Sequence, residues 1–468
     1  MELWLTWIQC VMELRPACTR LRSFLWMLTV LVAMTVRTDL FGVTSFVRAL
    51  HLHAYCYDRI LDVMHGTAIQ LEKLTQIWTK LVLKIFPTLL RINGRLVLVG
   101  DGIKIPKEGR KMPAVKSLHQ ESNNNSKAEY IMGHSCQAIA ILAGASDTFF
   151  AVPLVSRIHE GVVFSNRNKK SLLDKMLALI DSLGITEPFY FVADAYYANR
   201  KMVNGLLQKD QHLVTRVRSN AVAYYPAKKV EGKCRRGRPK QYGKKIKLKT
   251  IFKDEDSFTE AESPVYGEKG VMIKICIKEL YWRCSGVLVS FVFVIHPTRG
   301  RIILMCTDKT LSALQIIISY GLRYKIEGSF KSALHSVGVY AYHFWMMAMD
   351  KIKRRSGNQY LHRKSDEYRD SVRRKLSAYH CHIQLGLISQ GLLQYISCTL
   401  PKLVWKNFGS WIRTIRPGIP PSEYVVATAM KNTFIDFLAD STKPSILKKF
   451  MIDRMDFSRN AGFNLSSA

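Results

Sequence analysis

The 468-residue chain is 48 % hydrophobic and 22 % charged, which excludes a disordered chain or a coiled coil and leaves room for roughly two to four structural units. Sixty-nine Lys and Arg against 36 Asp and Glu leave a formal charge of +33, so the partner to expect is a polyanion, nucleic acid before any other. The ten cysteines form no C-x-x-C pair and His380-Cys381-His382 has no second ligand pair nearby, a pattern that suits a reducing cytosol better than a zinc or disulfide framework.

Residues 1–92 read as a helical region with a DNA-binding role. Its stretch SFLWMLTVLVAMTV, Ser23–Val36, is apolar between Arg22 and Arg37. A membrane span needs about 20 such residues and a signal peptide needs a small-residue cleavage site, so a buried helix is the expectation. GVTSFVRALHLHAYCYDRILDVMH, Gly42–His65, predicts two short helices with a start at Thr44 or Ser45, a helix-turn-helix whose second member would enter a major groove.

From residue 93 the pattern changes to strands. RLVLVGDGIKI is a buried run that meets Asp101, followed by CQAIAILAG and TFFAVPLVSRI; after the amphipathic KKSLLDKMLALIDSLG comes PFYFVADAYYAN, a second buried run that ends on Asp194. The order of strands and helices over 93–220 predicts a mixed α/β sheet. Residues 221–310 open on a basic run and continue as β-prone GVMIKICIKELYW, GVLVSFVFVI and RIILMC, an inserted, strand-rich subdomain. The core resumes over 311–345, and 346–468 is again helical and basic, fit for DNA binding or dimerisation.

The segment YGLRYKIEGSFKSALHSVG, Tyr320–Gly338, carries the sharpest signal. On an α-helix Tyr320, Arg323, Glu327 and Lys331 fall within a wedge of roughly 80°, opposite Ile318, Leu322 and Ile326. Asp101 and Asp194 close buried strands and would emerge at one sheet edge, where the Glu327 helix can pack. Carboxylates gathered in this way repel one another unless a cation joins them. Two Mg²⁺ ions about 3.5–4 Å apart, or Mn²⁺ in their place, would satisfy them and serve phosphodiester chemistry.

VGDG, FVADAYYA and YGLRYKIEGSFK, in that order, resemble the DDE transposases of bacterial insertion sequences, in the group with a Y-x2-R-x3-E-x6-K signature. The resemblance implies an RNase H-like catalytic core with a β-rich insertion, flanked by N- and C-terminal helical regions. It makes Asp101, Asp194 and Glu327 the catalytic, metal-binding triad and sets Tyr320 and Arg323 against the DNA near the scissile phosphate. The signature's lysine falls on Leu334; either Lys331, one turn earlier on the same face, replaces it as a phosphate contact, or that contact is absent. The resemblance further implies metal-dependent cleavage at terminal inverted repeats, 3′-hydroxyl transfer into target DNA, a homodimer in the synaptic complex, and a cytoplasmic, nucleoid-associated protein with no membrane partner. Further DNA contacts are expected from Lys104 and Lys107 in the basic loop after Asp101, and from Arg236 and Arg238 in RRGRPK. The competing readings are a catalytically silent DNA-binding relic and another RNase H-like nuclease.

Overall fold

The structure, a computed structural model, describes residues 2–120, 128–227, 240–265, 267–411, 413–440, 442 and 445–459. Five strands build the core of a large mixed sheet: β1 (Arg95–Pro106), β2 (Tyr130–Ala145), β3 (Thr148–Ile158), β4 (Phe189–Ala193) and β5 (His212–Arg216). Their order is β3-β2-β1-β4-β5. The first three pair antiparallel, while β1, β4 and β5 run parallel. Antiparallel strands need only a turn, here at Ser146–Asp147, whereas each parallel step needs a crossover. The crossovers are α6 (Leu172–Ser182), started by a capping box on Ser171 and Asp174, and α7 (Arg200–Leu207), capped by Asn199. This is the mixed α/β, RNase H-like arrangement expected from the sequence.

The strand-rich insertion does not form a second sheet. Its strands β6 (Val222–Pro226), β7 (Tyr242–Lys247), β8 (Met272–Trp282), β9 (Val287–His296) and β10 (Gly300–Cys306) continue the core sheet in the order β5-β10-β9-β8-β6-β7. The join is the pairing of Leu304–Cys306 with Val214–Arg216. It follows from where the insertion departs and returns, since its last strand comes back beside the edge strand it left.

Because β1 and β4 lie in mid-sheet, both faces of each are apolar, and alternate side chains enter different cores. Leu96 and Leu98 of β1 and Phe189 and Phe191 of β4 join the large core shared with the helical layer. Val97, Val99, Tyr190 and Val192 face the other way, against Ile316, Ile317 and Ile326. The helical layer unites both ends of the chain. Helices α1 (Glu2–Met12), α2 (Leu21–Val36), α3 (Gly42–Ala49), α4 (Cys56–His65) and α5 (Leu71–Ile85) gather with the 34-residue α10 (Asp366–Thr399). The apolar stretch is buried throughout from Phe24 to Val36, as expected. Among the described residues no helix is long and apolar enough to cross a membrane.

Polar ties fix this layer to the sheet. Buried Arg157 of β3 donates to Gln384 Oε1 of α10 at 3.0 Å and to Thr75 Oγ1 of α5 at 2.8 Å, and Gln384 returns a bond to Leu154 O at 2.9 Å. Within the basic C-terminal region, the run KIKRR at 351–355 is not helical, against the helical expectation for 346–468. Some cations of the run at 363–375 are spent inside the chain: Arg369 pairs with Asp366, and Arg373 with Asp370 at 2.6 Å.

Candidate active site

Strand register sets the geometry of the rim. Gly100 pairs with Ala193 across the parallel β1–β4 ladder, and Ala193 pairs with Thr215 across β4–β5. One step further along the three strands stand Asp101, Asp194 and Arg216. They are therefore level with one another on adjacent strands, about 4.8 Å per strand apart in backbone terms. Asp194 follows the last residue of β4 and Arg216 ends β5, whereas β1 runs on past Asp101 to Pro106 and, against expectation, does not close there. Alternation sends all three toward the face occupied by Ile316 and Ile326, the face where the Glu327 helix packs. Gly100 itself has no room for a side chain, because a Cβ there would meet the Phe191 ring at 2.2 Å.

Local hydrogen bonds then aim the acids. The Gly102 amide donates to Asp101 Oδ1 at 2.7 Å, and the Tyr196 amide to Asp194 Oδ1 at 3.1 Å, where Asp194 caps a short 3₁₀ turn. The Thr215 hydroxyl donates to the Asp194 carbonyl at 2.7 Å and locks β5 to the same rim. Of the two tyrosines that follow, Tyr197 is buried and accepts from Gln137, while Tyr196 is half exposed.

Residues 313–337 depart from one continuous helix. α8 (Ala313–Gly321) gives way to a 3₁₀ turn at Leu322–Tyr324, then α9 (Lys325–Ser332), then a π turn at Ala333–Val337. Gly321 marks the change: a Cβ there would fall 2.4 Å from Val265. The polar set still converges. Arg323 donates from Nη1 to Asp101 Oδ2 at 2.8 Å and from Nη2 to Glu327 Oε1 at 2.9 Å, and its guanidinium lies 5.9 Å from the Tyr320 ring centre. Burial is the main cause that raises the Asp101 carboxyl to about 6; Arg323 opposes it, and the charges of Asp194 and Glu327 add to it. Burial also raises the Tyr320 phenol, against Arg323 and Arg216, with Asp194 assisting. Asp101, Asp194 and Glu327 thus share one electrostatic neighbourhood.

Hard carboxylate oxygens are the donors that a divalent cation such as Mg²⁺ or Mn²⁺ takes. Among the described residues no three His, Cys, Asp or Glu side chains stand together as a ready metal cluster. The reason is visible at Arg323, whose guanidinium already provides the positive charge between Asp101 and Glu327. The donor types, carboxylate oxygens, are nonetheless those that a hard divalent cation takes.

The remaining sequence candidates separate by environment. Lys331 is exposed one turn beyond Glu327, while Leu334 is half buried against the helical core, so packing occupies the signature's lysine position. Lys104 is exposed and donates to His119 O at 2.7 Å. Lys107 corrects the expectation made for it: it is only 5 % exposed, donates to the carbonyls of Tyr340 and Tyr342 at 2.6 and 2.8 Å, and sits 3.9 Å from the Tyr342 ring centre. Its ammonium is used inside the fold and does not face a DNA strand. Arg236 and Arg238 lie outside the described residues.

The family described as DDE superfamily endonuclease matches residues 14–268, more than half of the chain. The chain belongs to that family. The matched span includes Asp101 and Asp194 and ends before Glu327, whose membership in the site rests on its tie through Arg323. No curated relative matches the sequence. Among solved structures, the piggyBac transposase in a synaptic complex with hairpin DNA is similar at 12 % identity and a TM-score of 0.36, over 93 % of this chain and 76 % of that one. Sequence reasoning missed Arg216, which the strand register brings level with the two aspartates; its only sequence mark is its place at the end of HLVTRVR.

Proposed function

We propose that this DDE endonuclease is a DNA transposase of the insertion-sequence type, which cleaves at element ends and joins the exposed 3′-hydroxyls to target DNA as a homodimer. The observation that carries the reading is the level placement of Asp101 and Asp194 on adjacent parallel strands, with Glu327 tied to Asp101 by one arginine. In this reading the three carboxylates hold Mg²⁺, which when bound activates the attacking oxygen and stabilises the departing one.

The chain's own groups do the rest. Arg323 neutralises Asp101 and Glu327 before DNA binds, and a scissile phosphate offers its guanidinium an alternative bidentate partner. Tyr320, with its phenol held protonated by burial, donates to a phosphate oxygen. Lys331 and Lys104, both exposed, contact phosphates on either side.

The test is incubation of the protein with Mg²⁺ and DNA carrying the inverted repeats that flank its gene. Nicking at the repeat ends followed by strand transfer, abolished by EDTA, is expected. Binding without cleavage would leave a silent DNA-binding protein, and cutting of branched DNA whatever its sequence would leave a structure-specific nuclease; either outcome overturns the transposase reading.

A further inference from the structure

A second feature begins at the same rim. Next to Asp194, a cleft of about 1010 Å³ opens between Ala195, the β5–β6 connection, the β7 end and β10. Arg216, Arg218, Lys247, Lys249, Lys253 and Arg301 line it, all exposed, and no carboxylate is among its lining residues. Among the described residues none of the six forms an ion pair. Some cations elsewhere on this surface do meet an acid, as Lys201 meets Asp174 and Arg91 meets Glu187, but here six stand together without one.

The fold holds this arrangement in place. The 3₁₀ helix Leu248–Lys253 buries Leu248, Ile251 and Phe252, which leaves Lys247, Lys249 and Lys253 no direction but outward. Phe252 also lies beneath Arg301, 5.6 Å from ring centre to guanidinium. Arg218 stands in the short connection after β5. The cleft lies round the rim from the acids, since Ile303 joins the core opposite to that of its neighbour Leu304. Arg216 is the hinge between the two faces: it lines the cleft and also influences the Tyr320 phenol beside the triad.

We infer that this cleft is a DNA-backbone site, which takes the phosphodiester chain as it leaves the acidic rim and passes over the sheet edge. The inference rests on the nuclease reading for its choice of polyanion. An unmatched row of cations selects phosphates. The absence of an exposed aromatic from the lining leaves no platform for base stacking, so binding here is to the backbone and carries no sequence preference. The acidic rim and the basic cleft divide the work: one acts on a phosphate, the other holds the strand in line with it.

The test is the salt dependence of binding to a fluorescently labelled DNA duplex of arbitrary sequence, measured by anisotropy in EDTA so that no cleavage intervenes. The triple variant Lys247→Gln/Lys249→Gln/Lys253→Gln is expected to flatten the plot of log affinity against log salt by about 2–3 in slope, since each phosphate no longer neutralised removes about 0.9. The control Lys402→Gln/Lys406→Gln, on exposed residues of the helix Pro401–Phe408, is expected to keep the parent slope. A triple variant with the parent slope, a control that flattens equally, or a preference of the parent for an RNA duplex of the same sequence would each overturn the inference. The two readings fail separately. If the triple variant flattens the slope but the parent never cuts in Mg²⁺, the cleft stands and the nuclease reading falls; if the parent cuts and the slope is unmoved, the reverse holds.

Discussion

Along the seam between sheet and helices, the charged groups of this protein are answered from within. Arg157 is held by Gln384 and Thr75, Lys107 by two carbonyls and the Tyr342 ring, and His134 by the Tyr342 hydroxyl at 2.7 Å and Pro113 O at 2.9 Å. Their burial favours the neutral forms, down to about 7 for Lys107 and about 3 for His134. At the rim the balance is reversed. Burial, with the neighbouring acids adding to it, raises Asp101 to about 6, one arginine serves two of the acids, and the cations of the adjoining cleft have no acid to meet. A buried charge without a partner costs several kcal/mol, so the seam has to be closed by the chain itself. The rim is half exposed, where water makes incomplete pairing cheap, and so it can be left for a ligand to complete.

That contrast is broken most sharply by exchanging one rim acid for its amide. Asp194→Asn keeps an oxygen to cap the Tyr196 amide, so the melting temperature is expected to stay close to the parent's. Cleavage is expected to fall about thousandfold, the equivalent of about 4 kcal/mol of transition-state stabilisation. Single-turnover cleavage beside a thermal melt measures both. A variant that melts early, or one that still cuts, would place Asp194 with the seam.

The seam answers to pH instead. Burial holds His134, His159, His380 and His382 below the ordinary value near 6.5, His159 at about 4. Depressed histidines stay neutral in the folded state while the unfolded chain takes up protons, so stability is full above about 6.5 and drains as pH falls toward 4. Each contributes up to about 1.4 kcal/mol per pH unit in that window. Denaturant midpoints at pH 7.0 and 5.5 are expected to differ accordingly; equal midpoints would mean that the histidines are not buried as described.

Lys107 sharpens the comparison, because its sequence context is that of a surface residue. Lys107→Met leaves the Tyr340 and Tyr342 carbonyls without their donor and is expected to cost about 2 kcal/mol in a denaturant titration. The salt slope of DNA binding is expected not to change. A flatter slope with unchanged stability would return Lys107 to the DNA-contacting group.

The same lysine shows how far the sequence could be read. The two aspartates could be found because each interrupts an apolar run, and that signal is local, although only Asp194 stands at a strand end and β1 continues past Asp101 to Pro106. In PKEGRK nothing distinguishes Lys107 from a solvated cation, because its partners come from residues 340–342. The cleft was illegible for the same reason: Arg218, Lys253 and Arg301 meet only once the insertion returns its last strand to the edge of β5. The turn at Leu322–Tyr324 was missed because it answers to Val265, on a distant loop pressing against Gly321. Periodicity records which face of a segment is apolar, and it carries no information on what will pack there.

Lys331 and Leu334 give the finest division between rim and seam. Lys331 is exposed on the helix that carries Glu327, four residues on, so its ammonium reaches the same side of α9. Lys331→Ala is expected to weaken DNA binding about threefold and to flatten the salt slope by about 1, with stability unchanged. Leu334 instead packs on the core, and Leu334→Lys is expected to cost about 1–2 kcal/mol by giving up apolar burial. If that substitution raised DNA affinity at no cost in stability, the position would belong to the rim after all. The π turn that begins at Ala333 would then be a pliable end to the helix, able to present either residue to a phosphate.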